Sequence, residues 1–147
     1  MYQYGEAERY VSLRSFEVVI SLDYNARLVL NRRPPPTLNQ IKNMHWGTRR
    51  RLKELWQQEV ALAAVRAGRP KFDKTEVQIV LYYDKARRRD QDNLMGFAGK
   101  MLLDGLRYAG VIPEDDLSTV VLPEIKVEID RDNPRVEILL RDLSKGD

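Results

Sequence analysis

The residues best suited to chemistry in this chain are Arg88-Arg89-Asp90-Gln91-Asp92-Asn93, followed by Lys100, Asp104 and the pair Asp115-Asp116. Carboxylates are hard oxygen donors of the kind Mg2+ prefers. Hydrolysis of a phosphodiester needs such a cation to activate water and stabilise the leaving oxygen. The adjoining arginines suit a polyanion. Metal-capable carboxylates beside a basic run point to nuclease chemistry.

These residues need elements to hold them. Residues 16–22 are β-branched and aromatic, bounded by polar residues, and read as a strand, with a turn at 23–25 and a second short strand at 27–30. Pro34-Pro35-Pro36 stops that pair, since proline has no N–H for a ladder. Residues 37–47 read as a loop or irregular helical turn. A helix is expected over 48–67, with Leu52, Leu55, Trp56, Val60, Ala63 and Ala67 near helical spacing and Gly68 and Pro70 as its stop. Residues 76–83 form an interior strand, apolar on both faces: Val77, Ile79 and Leu81 on one, Val80 and Tyr82 on the other. A basic loop over 84–89 leads to a helix capped by Asp92 or Asn93 and running to Ala109, its core stripe containing Leu94, Ala98, Met101, Leu102 and Leu106. Two further strands, 118–129 and 135–140, are joined by Asp130-Arg131-Asp132-Asn133-Pro134 as a hairpin loop. The expected fold is α/β of the α+β type, a single domain in the order β(β)-α-β-α-β-β with two main helices. Residues 1–25 form an N-terminal extension with the first strand, 26–141 the main domain and 142–147 a tail.

The acidic motif occurs twice, and context separates the copies. Asp130-Arg131-Asp132-Asn133 precedes a proline and a strand, so a turn explains it. Asp90-Gln91-Asp92-Asn93 lies between an interior strand and a helix N-terminus, where ligand sites gather in α/β proteins and free N–H groups suit phosphate. In extended chain Asp90 and Asp92 point to the same side, and a shared cation relieves their repulsion. The structural alternative makes Asp92 a helix cap and Asp90 a partner for nearby arginines. Lys100, seven residues after Asn93, shares its helix stripe about 10 Å along the axis and leans toward the acidic pair. Its alternative is a solvent-exposed lysine paired with Asp104. Asp115-Asp116 offers a third carboxylate or, alternatively, an exposed acidic turn. Gly96 and Gly99 inside a helix require a close neighbour: DNA, another helix or a second subunit. His45 reads as loop structure or a DNA contact, and Trp46 and Trp56 as packing residues.

Composition narrows the chemistry. The absence of cysteine and the single histidine exclude a zinc site of the usual nitrogen and sulfur type, so a metal must be held by carboxylates. No apolar run is long enough to span a bilayer, and the first residues lack a signal-peptide pattern, so a cytoplasmic protein is expected. The net charge is only +3, yet residues 32–89 are strongly basic and those beyond 101 are not. That asymmetry suggests a binding face for a polyanion. No glycine-rich phosphate cradle appears, which argues against a small phosphorylated substrate and a small organic cofactor.

The ordered set Arg88-Arg89-Asp90-Gln91-Asp92-Asn93, Lys100-Met101-Leu102-Leu103-Asp104-Gly105-Leu106, Ala109-Gly110-Val111-Ile112 and Asp115-Asp116 resembles the RusA family of Holliday junction resolvases. Pro35-Pro36-Thr37-Leu38-Asn39 is similar to that family's Pro-Pro-Ser-x-Asn loop, and the resemblance spans about residues 28–140. It implies a homodimeric, Mg2+-dependent endonuclease, with Mn2+ as a substitute, that cuts four-way DNA junctions in recombination and repair, built on a mixed sheet. It implies Asp90, Asp92 and Asp116 as metal ligands, Lys100 as the catalytic lysine, and Asn93 and Asp115 in support. In the family pattern the lysine comes sooner, where Gly96 stands here; Lys100 keeps the spacing to Asp104. DNA contacts are expected from Asn39, Arg49, Arg50, Arg51, Lys85, Arg87, Arg88 and Arg89. The alternative function is a branched-DNA-binding protein that keeps the fold without catalysis.

Overall fold

A computed structural model describes residues 24–113 and 119–144. The strand expected at 16–22 and the pair Asp115-Asp116 lie outside the described residues. Five strands form one mixed sheet: β1 (Ala26–Leu30), β2 (Thr75–Tyr83), β3 (Val120–Val121), β4 (Lys126–Ile129) and β5 (Arg135–Asp142). β2 is central. On one side it pairs antiparallel with β5, which pairs antiparallel with β1. On the other it pairs parallel with β3 at its start and β4 at its end. A parallel pair needs a crossover, and the helical segment between β2 and β3 supplies it.

Four α-helices are described: α1 (Leu38–Ile41), α2 (Trp46–Arg66), α3 (Gln91–Leu94) and α4 (Lys100–Tyr108). The last two are joined by a π-helical stretch, Met95–Gly99. The two long helical stretches expected from periodicity are therefore present. α2 ends where Gly68 takes a φ of 89°, a conformation that glycine adopts without steric cost. No described helix is long and apolar enough to cross a membrane.

The helices cover one face of the sheet. Val77, Ile79 and Leu81 join Trp56, Val60, Leu94, Met101, Leu102 and Leu106 in one core. Val80 and Tyr82 pack on the other face with Leu139 and Tyr24. The two-faced reading of β2 is thus correct, and both of its edges are occupied.

Two expectations are corrected. Of the strand expected over 118–129, the described residues 119–129 form two short strands and not one. Pro123 cannot donate to a ladder, and side chains replace the ladder there: Gln78 Nε2 donates to the Glu124 carbonyl at 2.9 Å, and Gln91 takes the backbone of Ile125. Nor do β4 and β5 form a hairpin, because β2 lies between them. The turn between them crosses the end of β2, where the Asp130 N–H donates to the Tyr83 carbonyl at 2.8 Å.

Candidate functional site

The acidic motif lies beyond the C-terminal end of β2, the edge at which open α/β sheets bind ligands. Asp90 is extended (φ −102°, ψ 155°) and is itself the N-cap of α3: its carboxylate accepts from the Asn93 N–H at 2.9 Å. The cap is therefore neither Asp92 nor Asn93. Asp92 already lies in the first helical turn, so the same-side argument for extended chain does not apply to the pair. Asp92 is exposed, and its carboxylate makes no hydrogen bond or ion pair to a described residue.

The other two motif residues hold the turn in place. Gln91 clamps Ile125 from both sides of its amide, Nε2 donating to the carbonyl at 2.7 Å and Oε1 accepting from the N–H at 3.0 Å. Asn93 Oδ1 accepts from the backbone N–H of Asn39 at 2.7 Å. That bond joins the Pro-Pro-Thr-Leu-Asn turn to the acidic motif across 54 positions. Asn39 thus enters through its backbone. Thr37 and Gln40 form a reciprocal capping box that folds the turn into α1. Gln91 is a positioning residue that sequence reasoning missed; its place between two aspartates was the only available signal.

The basic loop divides into structural and available cations. Arg89 folds back: its guanidinium donates to the carbonyls of Arg87 and Lys85 and lies 3.6 Å from the centre of the Tyr83 ring. Arg33 pairs with Asp84 at 2.7 Å, and its hydrogen bond holds that exposed carboxyl below its usual range. The side chains of Lys85, Arg87 and Arg88 are exposed with no described partner. With Arg33, Tyr83 and Asn93 they line an open recess of about 460 Å³.

The arginines of α2 divide similarly. Arg49 is a structural residue, donating twice to the Ile41 carbonyl at 3.2 and 2.9 Å and so closing α1. Arg50 meets Glu54 only at 3.6 Å, and Arg51 donates to Thr48 at 3.4 Å. His45 is the N-cap of α2, Nδ1 accepting from the Gly47 N–H at 3.0 Å.

The π-helical stretch changes where Lys100 falls. Wider turns rotate each residue less than an α-helix does, so seven residues no longer complete two turns. Lys100 lines a second groove, with Leu38, Trp46, Arg50 and Lys53, whereas Asn93 lines the arginine recess. Asp104 pairs with Arg107 at 2.9 Å rather than with Lys100. Gly96 is explained by close approach of another helix: a Cβ there would lie 2.8 Å from Leu38 Cδ2.

The second copy of the motif is a turn. Asp130 accepts from the N–H groups of Asp132 and Asn133 and pairs with Arg135 at 2.9 Å.

As a metal site, Asp90 and Asp92 supply two carboxylates on one exposed turn. Asp90 keeps an oxygen beyond the one that caps the helix. Mg2+ is commonly held by one or two carboxylates together with water and substrate phosphate, so the donor set fits. Among the described residues no three acidic or histidine side chains form a metal-holding group; Asp116 lies outside them. Compared with known proteins, the chain matches no protein-family model and no curated protein.

Proposed function

We propose that the protein is a cytoplasmic, RusA-like endonuclease that cuts four-way DNA junctions as a homodimer. The observation that carries this reading is Asp92, an exposed carboxylate with no described partner. It lies two residues after the Asp90 cap, in the first turn of α3, and follows a loop of available cations, Lys85, Arg87 and Arg88. Asp90, Asp92 and Asp116, with Asp115 in support, would hold Mg2+, which when bound lowers the pKa of water and neutralises charge on the reacting phosphate. The chain's own residues do the rest. Asp90 fixes the start of α3, Gln91 and Asn93 anchor the turn to two neighbouring segments, and the basic loop draws in the phosphate backbone. A twofold protein suits a junction of near-twofold symmetry. Incubating the protein with a synthetic four-way junction and with linear duplex, with and without Mg2+, tests the proposal. Metal-dependent nicking confined to the junction is expected, and no nicking with Mg2+ or Mn2+ refutes it.

One observation favours a second reading, a branched-DNA-binding protein without catalysis: Lys100 and Asn93 line different recesses. Within the endonuclease reading, Lys100→Ala tests the lysine. If its ammonium stabilises charge at the reacting phosphate, the single-turnover rate falls about 10²–10³-fold, far more than junction binding does. A wild-type rate would leave Lys100 with no catalytic role.

Salt dependence tests the basic loop. Replacing Lys85, Arg87 and Arg88 together by alanine is expected to weaken junction binding and flatten the log–log salt slope by up to about 0.9 for each phosphate that is no longer neutralised. An unchanged slope would show that the loop does not meet the backbone.

A further inference from the structure

Trp46 does not pack as its residue type suggests. Trp56 is 2% exposed, but Trp46 is 68% exposed, and its neighbour across the groove, Leu38, is 43% exposed. The indole is nonetheless braced: the His45 ring stacks against it at 5.6 Å with an interplanar angle of 30°, and His45 is fixed as the cap of α2. The groove beside it, about 400 Å³, is bounded by Leu38, Trp46, Arg50, Lys53, Gly96 and Lys100.

Its charge is one-sided. No acidic side chain among the described residues lines it. Lys53 and Lys100 are exposed and have no described partner. Arg50 has only the exposed 3.6 Å contact to Glu54, a kind of pair that holds a side chain weakly. The occupant that suits an accessible aromatic face among cations is both anionic and planar. The volume lies near the lower end of the range for small-ligand sites, which fits one nucleotide and not a length of duplex. In duplex DNA the base faces are already stacked. An aromatic platform therefore takes a base that is unpaired.

We infer that this groove binds an unpaired nucleotide, its base stacked on Trp46 and its flanking phosphates met by Arg50, Lys53 and Lys100. The inference rests on the reading of the protein as a DNA-processing enzyme. It deepens that reading by making an unstacked strand at or near a branch part of what is recognised.

Fluorescence tests it directly, because the chain has two tryptophans and Trp56 is buried. Titration of the full chain with oligo(dT) is expected to quench emission from Trp46, and blunt linear duplex is expected to leave it unchanged. Trp46→Ala is expected to weaken oligo(dT) binding about 5- to 150-fold, with Trp46→Phe recovering most of the loss. Unaltered Trp56 emission would verify that the variants fold. No quenching at saturating oligo(dT), wild-type affinity in Trp46→Ala, or equal quenching by poly-glutamate would overturn the assignment; the last would make the groove a general site for anions. Junction cleavage is measured on the same samples. Cleavage without quenching rejects the groove alone. Quenching that depends on Trp46 without any cleavage rejects the endonuclease reading and leaves the nucleotide site standing.

Discussion

Asp92→Asn is expected to lower single-turnover cleavage of a four-way junction by at least about 10³-fold, equivalent to about 4 kcal/mol of barrier, while junction affinity is kept or improved. The substitution removes a charge from an exposed carboxylate with no described partner, so it deprives a cation of a ligand without disturbing the fold. Asp90→Asn is expected to have the same effect, and asparagine is the substitution to use. The Asp90 carboxylate accepts from the Asn93 N–H as the cap of α3, and asparagine caps as well as aspartate does. Alanine would add about 1 kcal/mol of helix destabilisation and blur the result. Asp132→Asn, in the second copy of the motif, is the control and is expected to cut at the wild-type rate. An inactive Asp132→Asn beside a fully active Asp90→Asn would mean that the wrong copy was assigned.

The second large effect concerns stability. Glu137 lies on β5 at the centre of a buried ion network. Arg27 donates to both of its oxygens at 2.8 Å, and Arg135 donates to Oε2 at 2.8 Å. Arg135 also pairs with Asp130, and its guanidinium lies 3.7 Å from the centre of the Tyr82 ring. The Glu137 and Arg135 side chains are 3% and 7% exposed, so neither charge can turn to water. Glu137→Gln takes from Arg135 the deeply buried one of its carboxylate partners and leaves it the more exposed Asp130, 23% exposed. The expected cost is about 3–5 kcal/mol, or roughly 10 °C in melting temperature for a chain of this size. Its pH dependence follows from the carboxyl's position. Burial pushes Glu137 up, but hydrogen bonds and charge from Arg27 and Arg135 outweigh burial and hold it below the ordinary value of 4.5. A depressed carboxyl gives its full stabilisation above 4.5 and loses it as pH falls through the lower folded-state value. Urea titrations of wild type and Glu137→Gln should therefore differ most near neutral pH and converge in acid. A gap that stayed constant down to about pH 3 would show that the charge of Glu137 is not what the network uses.

Much of the framework was legible because it depends on local patterns. Alternation over Val77, Ile79 and Leu81 against Val80 and Tyr82 marked β2 as a strand with two buried faces. The spacing of Leu52, Trp56, Val60 and Ala63 marked α2. The features that were misread depend on partners distant in sequence. A turn as strong as Asp130-Arg131-Asp132-Asn133-Pro134 reads as a hairpin, and no local signal says that β2 will lie between the flanking strands. The single strand read over 118–129 breaks because Gln78 and Gln91, far away in the chain, supply the hydrogen bonds that Glu124 and Ile125 would otherwise give to a ladder. Trp46 reads as a core residue by type and is left outside because α1 and the π-helical stretch bound a groove beside it rather than a core.

By itself the sequence determined the α+β composition, the interior strand, the two long helical stretches and the concentration of acidic and basic side chains at one strand-to-helix junction. These follow from periodicity, turn chemistry and residue type, all of which act over a few positions. Only the tertiary structure decided what each polar residue there is used for. Asp90 is a cap as well as a candidate ligand, Gln91 and Asn93 are clamps, Arg49 and Arg89 fold onto backbone carbonyls, and Asp92, Lys85, Arg87 and Arg88 remain available. A carboxylate or guanidinium has the same affinity for partners wherever it stands in the chain. Whether it is consumed by the fold or left for a ligand depends on which N–H and C=O groups the packing brings within about 3 Å.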